Sequence, residues 1–65
     1  MIAHEFRNPM PVWEATYIAL WCMDIGILWN WLPITPKNTD EGPLFTGIKL
    51  PSEEDIIAMR LKFNV

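Results

Sequence analysis

Pro11 and Pro33 bracket a segment, Val12 to Leu32, that contains no proline and only two charged residues, Glu14 and Asp24. Proline lacks the amide donor a helix needs and pushes the residue before it out of the helical region, so both prolines act as boundaries. A breaker-free run of this length reads as one long helix over 12–32. Gly26 is its single weak point, at about 1 kcal/mol relative to alanine. At 100° per residue, Glu14, Thr16, Asp24 and Asn30 point in several directions and share no face. The expected helix is apolar nearly all round. The rest of a 65-residue chain, much of it polar or proline, cannot wrap it completely. Something outside the chain has to cover part of it.

The chain also has few means of stabilising itself. A domain this short buries only about 60% of the surface its unfolded form exposes, and small domains usually need a staple. Cys22 is the sole cysteine, so no internal disulfide can form. A zinc site would have to draw on Cys22, His4 and carboxylates, with no ligand pair at metal spacing. No metal or other cofactor is expected. What remains is self-association, docking into a larger assembly, or a membrane.

One cysteine in an apolar stretch fits a reducing compartment. The first ten residues, with His4, Glu5, Arg7 and Pro9, lack the basic start and apolar run of a secretory signal, so a cytoplasmic location is expected. The net charge of −3 and the scatter of the basic residues (Arg7, Lys37, Lys49, Arg60, Lys62) exclude nucleic acid as the main partner, which would call for clustered Lys and Arg.

The remaining prolines divide the chain further. Pro9 and Pro11 make residues 1–11 an extended arm, and Pro33 and Pro36 close the apolar segment. Pro43 and Pro51 partition a tail over 37–65 made of a loop and a short C-terminal element. Lys37-Asn38-Thr39-Asp40-Glu41-Gly42-Pro43 is a polar loop by composition. Leu44 to Leu50 can run extended, with Leu44, Thr46, Ile48 and Leu50 on one side. Ser52 is a good helix N-cap, and Glu53, Glu54 and Asp55 fill the first turn, where the dipole favours carboxylates. Asp55 stands where a capping box would place Glu or Gln. Beyond it the reading forks. Ile56, Met59 and Phe63 form a helical stripe with Ile57 and Leu61 beside it, whereas Met59 to Val65 alternates as a strand would. Good helix formers from Ala58 to Lys62 favour a helix over 52–63, and the strand stays open. The fold expected is a mainly α single domain over 1–65.

Residues that could carry chemistry are few. Cys22 and Ser52 are the candidate nucleophiles, and neither has a base at a recognisable spacing. His4 lies in the proline-bounded arm and reads as an exposed terminal histidine. Cys22 reads as core, since its neighbours Trp21, Met23 and Asp24 are not the electropositive setting of a reactive thiol. Glu14 and Asp24 would stand about 15 Å apart along a helix, too far to flank one bond. No glycine-rich phosphate loop is present. An enzyme is not expected.

The aromatic set is the strongest signal. Trp13, Tyr17, Trp21, Trp29 and Trp31 put five large amphipathic rings within nineteen residues. Trp13, Tyr17, Trp21 and Ile25 recur every four positions, as a row on one side of a helix would. Tryptophan and tyrosine are the residue types enriched as interface anchors. The five rings are therefore the expected partner-binding residues, with Asp24 as an orienting polar contact. A membrane span is the rival reading: the length between Pro11 and Pro33 suits a bilayer and Trp lies near both ends. Against it, Asp24 would sit near the midplane at a cost of about 2.5–3.5 kcal/mol, and Arg7 and Lys37 give no charge bias between the flanks. A protein partner or a homo-oligomer is favoured over lipid.

Scattered pieces along most of the chain resemble a group of small bacteriophage proteins associated with tail assembly. In that pattern a Val-Trp opens an aromatic-rich helix ending in Trp, a Gly-aliphatic stretch follows, and a short helix carries a Met-Arg-Leu-like run. The corresponding residues here are Val12-Trp13, Trp21 or Trp29, Gly47-Ile48, and Ile57-Ala58-Met59-Arg60-Leu61. The family's Gln-Trp-Arg is missing, and its Gly-Leu-Asp-Tyr stands as Gly47-Ile48-Lys49-Leu50. The resemblance implies a small accessory or assembly protein that binds phage or host proteins in the host cytoplasm or the virion. It carries over no catalytic residue.

Overall fold

A computed structural model describes residues 1–33, 38–40 and 42–65. The elements run β1 (Ile2–Pro11), α1 (Val12–Ile25), β2 (Asn30–Leu32), β3 (Asn38–Thr39), β4 (Gly42–Leu50) and α2 (Glu53–Phe63). The expected mainly helical class is wrong. The chain is a small α+β fold, in which four antiparallel-paired strands carry two short helices.

β4 is the hub of the sheet. It pairs antiparallel with β1 on one side and β2 on the other, and its start pairs with β3. β1 and β2 therefore run parallel with β4 between them, and α1 is the crossover that joins them: a split β-α-β unit. The expected arm at 1–11 is extended, but as an edge strand. Ile2, His4 and Phe6 share the face of their partners Leu50 and Ile48, while Ala3 and Glu5 point the other way. Glu5 pairs with Gly47, and the next aligned pair is Met10 with Phe45, so the stretch between them bulges out of register. An edge strand with a bulge is where a sheet tolerates Pro9.

The expected long helix over 12–32 breaks at Gly26. Gly26 adopts the left-handed conformation (φ 75°, ψ 32°), its N–H donates to Met23 O at 3.2 Å, and the Ile27 N–H donates to Cys22 O at 3.0 Å. That pair of bonds is a Schellman stop, whose left-handed position favours glycine. Beyond it the side chains alternate. Ile27, Trp29 and Trp31 are partly buried against the core and Leu28 and Asn30 are exposed, a period of two that leads into β2. α1 has 14 residues, about 21 Å of helix, short of a bilayer core. Among the described residues no helix is long and apolar enough to cross a membrane.

The C-terminal element is a helix, not the alternative strand. Ser52 accepts from the Asp55 N–H at 3.3 Å, and its hydroxyl donates to Asp55 Oδ2 at 2.9 Å. Asn64 closes α2 in the left-handed region, and Arg7 donates to both its backbone oxygen and its Oδ1 at 2.7 Å. The end of α2 is thereby tied to the bulge of β1. The expected polar loop at 37–43 contains β3, where Asn38 pairs with Pro43 and Thr39 with Gly42; Pro36, Lys37 and Glu41 lie outside the described residues.

One core forms where the helices meet the sheet: Phe6 and Met10 from β1, Ala15, Ile18 and Cys22 from α1, Ile48 and Leu50 from β4, Ile56 and Met59 from α2. Gly47 sets the spacing of the central pair. A Cβ there would run into the His4 carbonyl oxygen and stand 3.4 Å from the Glu5 Cα, both fixed backbone. Gly47→Ala is expected to cost about 3 kcal/mol, since the clash is with backbone that cannot turn aside. In thermal denaturation that amounts to a fall in melting temperature on the order of 10–20 °C. An unchanged melting temperature would contradict the close approach.

Candidate partner-binding surface

α1 has two faces of opposite use. Ala15, Ile18 and Cys22 lie within about 60° of one another on the inner side and are buried. Opposite them stand Trp13, Tyr17, Leu20 and Asp24, with Met23 beside them. The large apolar members of this outer face stay open to solvent: Trp13 69%, Tyr17 61%, Leu20 55% and Met23 65% exposed. Isolated exposed hydrophobics are ordinary, but a contiguous set on one helix face marks an interaction surface.

The structure divides the expected site residues into two groups. Trp13, Tyr17 and Asp24 come together on the outer face. Trp21 does not stay with them, because a row spaced by four drifts about 40° per step around a helix of 3.6 residues per turn. Trp21 is half-buried and packs edge-on against Phe63 of α2, with ring centroids 5.9 Å apart. Trp29 and Trp31 lie beyond α1, half-buried against the core, and Trp31 stacks on Phe45 at 4.8 Å. Those three rings are partly buried in the packing of the fold itself, and Trp21 also lines the edge of the outer face. Leu20 and Met23 are not among the expected site residues, although Leu20 lies three residues after Tyr17 and seven after Trp13, the spacing of one face.

Between α1 and α2 runs a shallow groove of about 470 Å³, lined by Tyr17, Leu20, Trp21 and Asp24 on one wall and Lys62 and Phe63 on the other. It continues past Tyr17 and Phe63 into a smaller apolar hollow of about 170 Å³ that reaches Met10, Glu14 and Val65. The groove borders the outer face and has an acid, Asp24, opposite a base, Lys62.

The residues that could carry chemistry are spread apart. Ser52 is engaged as the α2 cap. His4 is not the exposed terminal histidine expected from its position. It is half-buried on the core face of β1, its Nε2 lies 3.2 Å from the Val65 carbonyl oxygen, and its ring meets Phe6 edge-on. Among the described residues no group of three His, Cys, Asp or Glu side chains could hold a metal. Cys22 is fully buried. Burial pushes its thiol above the ordinary thiol range, and the nearby Asp55 carboxylate adds to the push.

No family model, curated protein or solved structure matches this chain.

A buried, protonated thiol is a poor nucleophile. At pH 8 Cys22 of the native chain should react with a maleimide at least about 100-fold more slowly than in the urea-unfolded chain, because reaction requires opening of the core. Equal rates in the two states would contradict the burial.

Proposed function

We propose that this chain is a non-enzymatic interaction or assembly protein that docks onto a protein partner through the outer face of α1. The observation that carries this reading is the exposure of Trp13 and Tyr17 beside Leu20 and Met23 on a single helix face. Two large rings open to water on one short helix are a costly arrangement for a protein that acts alone, and such rings anchor protein interfaces when covered. Asp24, on the same face, supplies a charge that orients the partner. The likeness to small phage tail-assembly accessory proteins gives the reading a setting, with an assembly partner in the host cytoplasm or the virion.

Truncating both anchors tests it. Trp13→Ala with Tyr17→Ala should weaken whatever co-purifies with the native chain by at least about 2 kcal/mol, roughly 30-fold in affinity. Stability in urea should change by less than about 0.5 kcal/mol per site, as for exposed positions away from the core. Trp21→Ala should differ by losing stability as well, since it removes the ring packed on Phe63. Full retention of the co-purifying species by the double variant would overturn the proposal.

A further inference from the structure

We infer that the partner seated on α1 is a second copy of this chain, with its α1 packed antiparallel on the first; the inference rests on reading the outer face as a protein-docking surface. Trp13, Tyr17, Leu20 and Asp24 are spaced 4-3-4, which keeps all four within about 60° on the helix and is the spacing of a coiled-coil seam. In a two-fold interface one patch meets itself, so the pairing must be reciprocal. With the axis level with residues 18 and 19, Tyr17 faces the partner's Leu20 and Trp13 faces the partner's Asp24. Both pairs then recur by symmetry. The row is complementary to itself when reversed.

Charge selects the antiparallel direction. Asp24 lies in the last turn of α1, which contains no basic residue, so the helix dipole disfavours its carboxylate, and the cation it faces, Lys62, belongs to α2 across the groove. At the other end Pro11 occupies the N-cap position and makes no side-chain capping bond, and the first-turn carboxylate, Glu14, stands about 90° round the helix from the row, so the row itself carries no acid at that end. Antiparallel packing places each Asp24 beside the positive end of the other helix and within the neighbourhood of the Trp13 indole N–H, a donor that suits a carboxylate. Parallel packing would instead set Asp24 on Asp24 at two negative helix ends. The parallel arrangement sets two carboxylates in direct opposition, whereas the antiparallel one sets Asp24 against an indole donor with Glu14 off to one side.

Sedimentation equilibrium on the full chain, from about 10 μM to 1 mM, tests this together with two exposed-face variants. The wild type should show a monomer–dimer equilibrium. Leu20→Glu, which puts two carboxylates beside the axis, and Asp24→Lys, which puts a cation beside each helix N-terminus, should each weaken the dimer at least 10-fold while the circular dichroism spectrum stays unchanged. A wild type that stays monomeric at 1 mM overturns self-pairing, as does a dimer that persists in both variants. A dimer lost in Leu20→Glu but untouched by Asp24→Lys overturns the antiparallel register. The docking-surface reading fails separately. If the wild type is monomeric yet Trp13→Ala with Tyr17→Ala strips off a different co-purifying protein, the second copy is wrong and the surface stands. If neither self-association nor co-purification responds to outer-face changes, both are wrong.

Discussion

Among the described residues every other strand pairs with β4, and at Gly47 β1 comes so close that its His4 carbonyl leaves no room for a Cβ. The approach has consequences on both sides. It brings Ile48 and Leu50, fully buried, into line with His4 and Ile2 of β1. Ala15, Ile18 and Cys22 of α1 and Ile56 and Met59 of α2 pack with Ile48 and Leu50 in the one core. α1 must then cross from β1 to β2 over a strand that lies between them, and it presents Ala15, Ile18 and Cys22 downward as it crosses. The outer row of α1 is the geometric remainder of that crossing. Once residues 15, 18 and 22 face the sheet, residues 13, 17, 20 and 24 can only face out.

Much of this was readable from the residues. Ser52 and the acids after it mark the start of α2, and the stripe of Ile56, Met59 and Phe63 is the one that packs inward. The extended readings of 1–11 and 44–50 correspond to β1 and β4. The long helix failed at one residue. Inside a helix Gly26 would cost about 1 kcal/mol, whereas as a left-handed stop it terminates the helix and satisfies two backbone donors. The period-two pattern of Ile27, Trp29 and Trp31 was present in the sequence. An apolar run of that length fits helix or strand alike, and tertiary pairing with β4 decides it. The partner strand is seventeen residues further on, which no local pattern reveals: Trp31 pairs with Ile48.

The candidate surface was legible in kind and less so in membership. An aromatic-rich helix with more apolar surface than the chain could cover was expected, and the shortfall persists in the folded molecule. Its composition changed because half of the tryptophans lie outside α1, and Trp21 drifts off the outer face onto Phe63. The six named residues thus separate into Trp13, Tyr17 and Asp24, open on one face, and Trp21, Trp29 and Trp31, engaged in packing. His4 and Cys22 are likewise drawn inward, one against Val65 and Phe6, the other into the core beneath α1.

The central claim is that the outer face of α1 is open in the isolated chain and covered when the protein is at work. Hydroxyl-radical footprinting with mass spectrometry reads it directly, comparing purified chain at low concentration with the native assembly. The account predicts strong oxidation of Trp13 and Tyr17 in the isolated chain, their protection in the assembly, and weaker, unchanged labelling of Trp31 in both. Equal labelling of Trp13 and Tyr17 in the two states would contradict it.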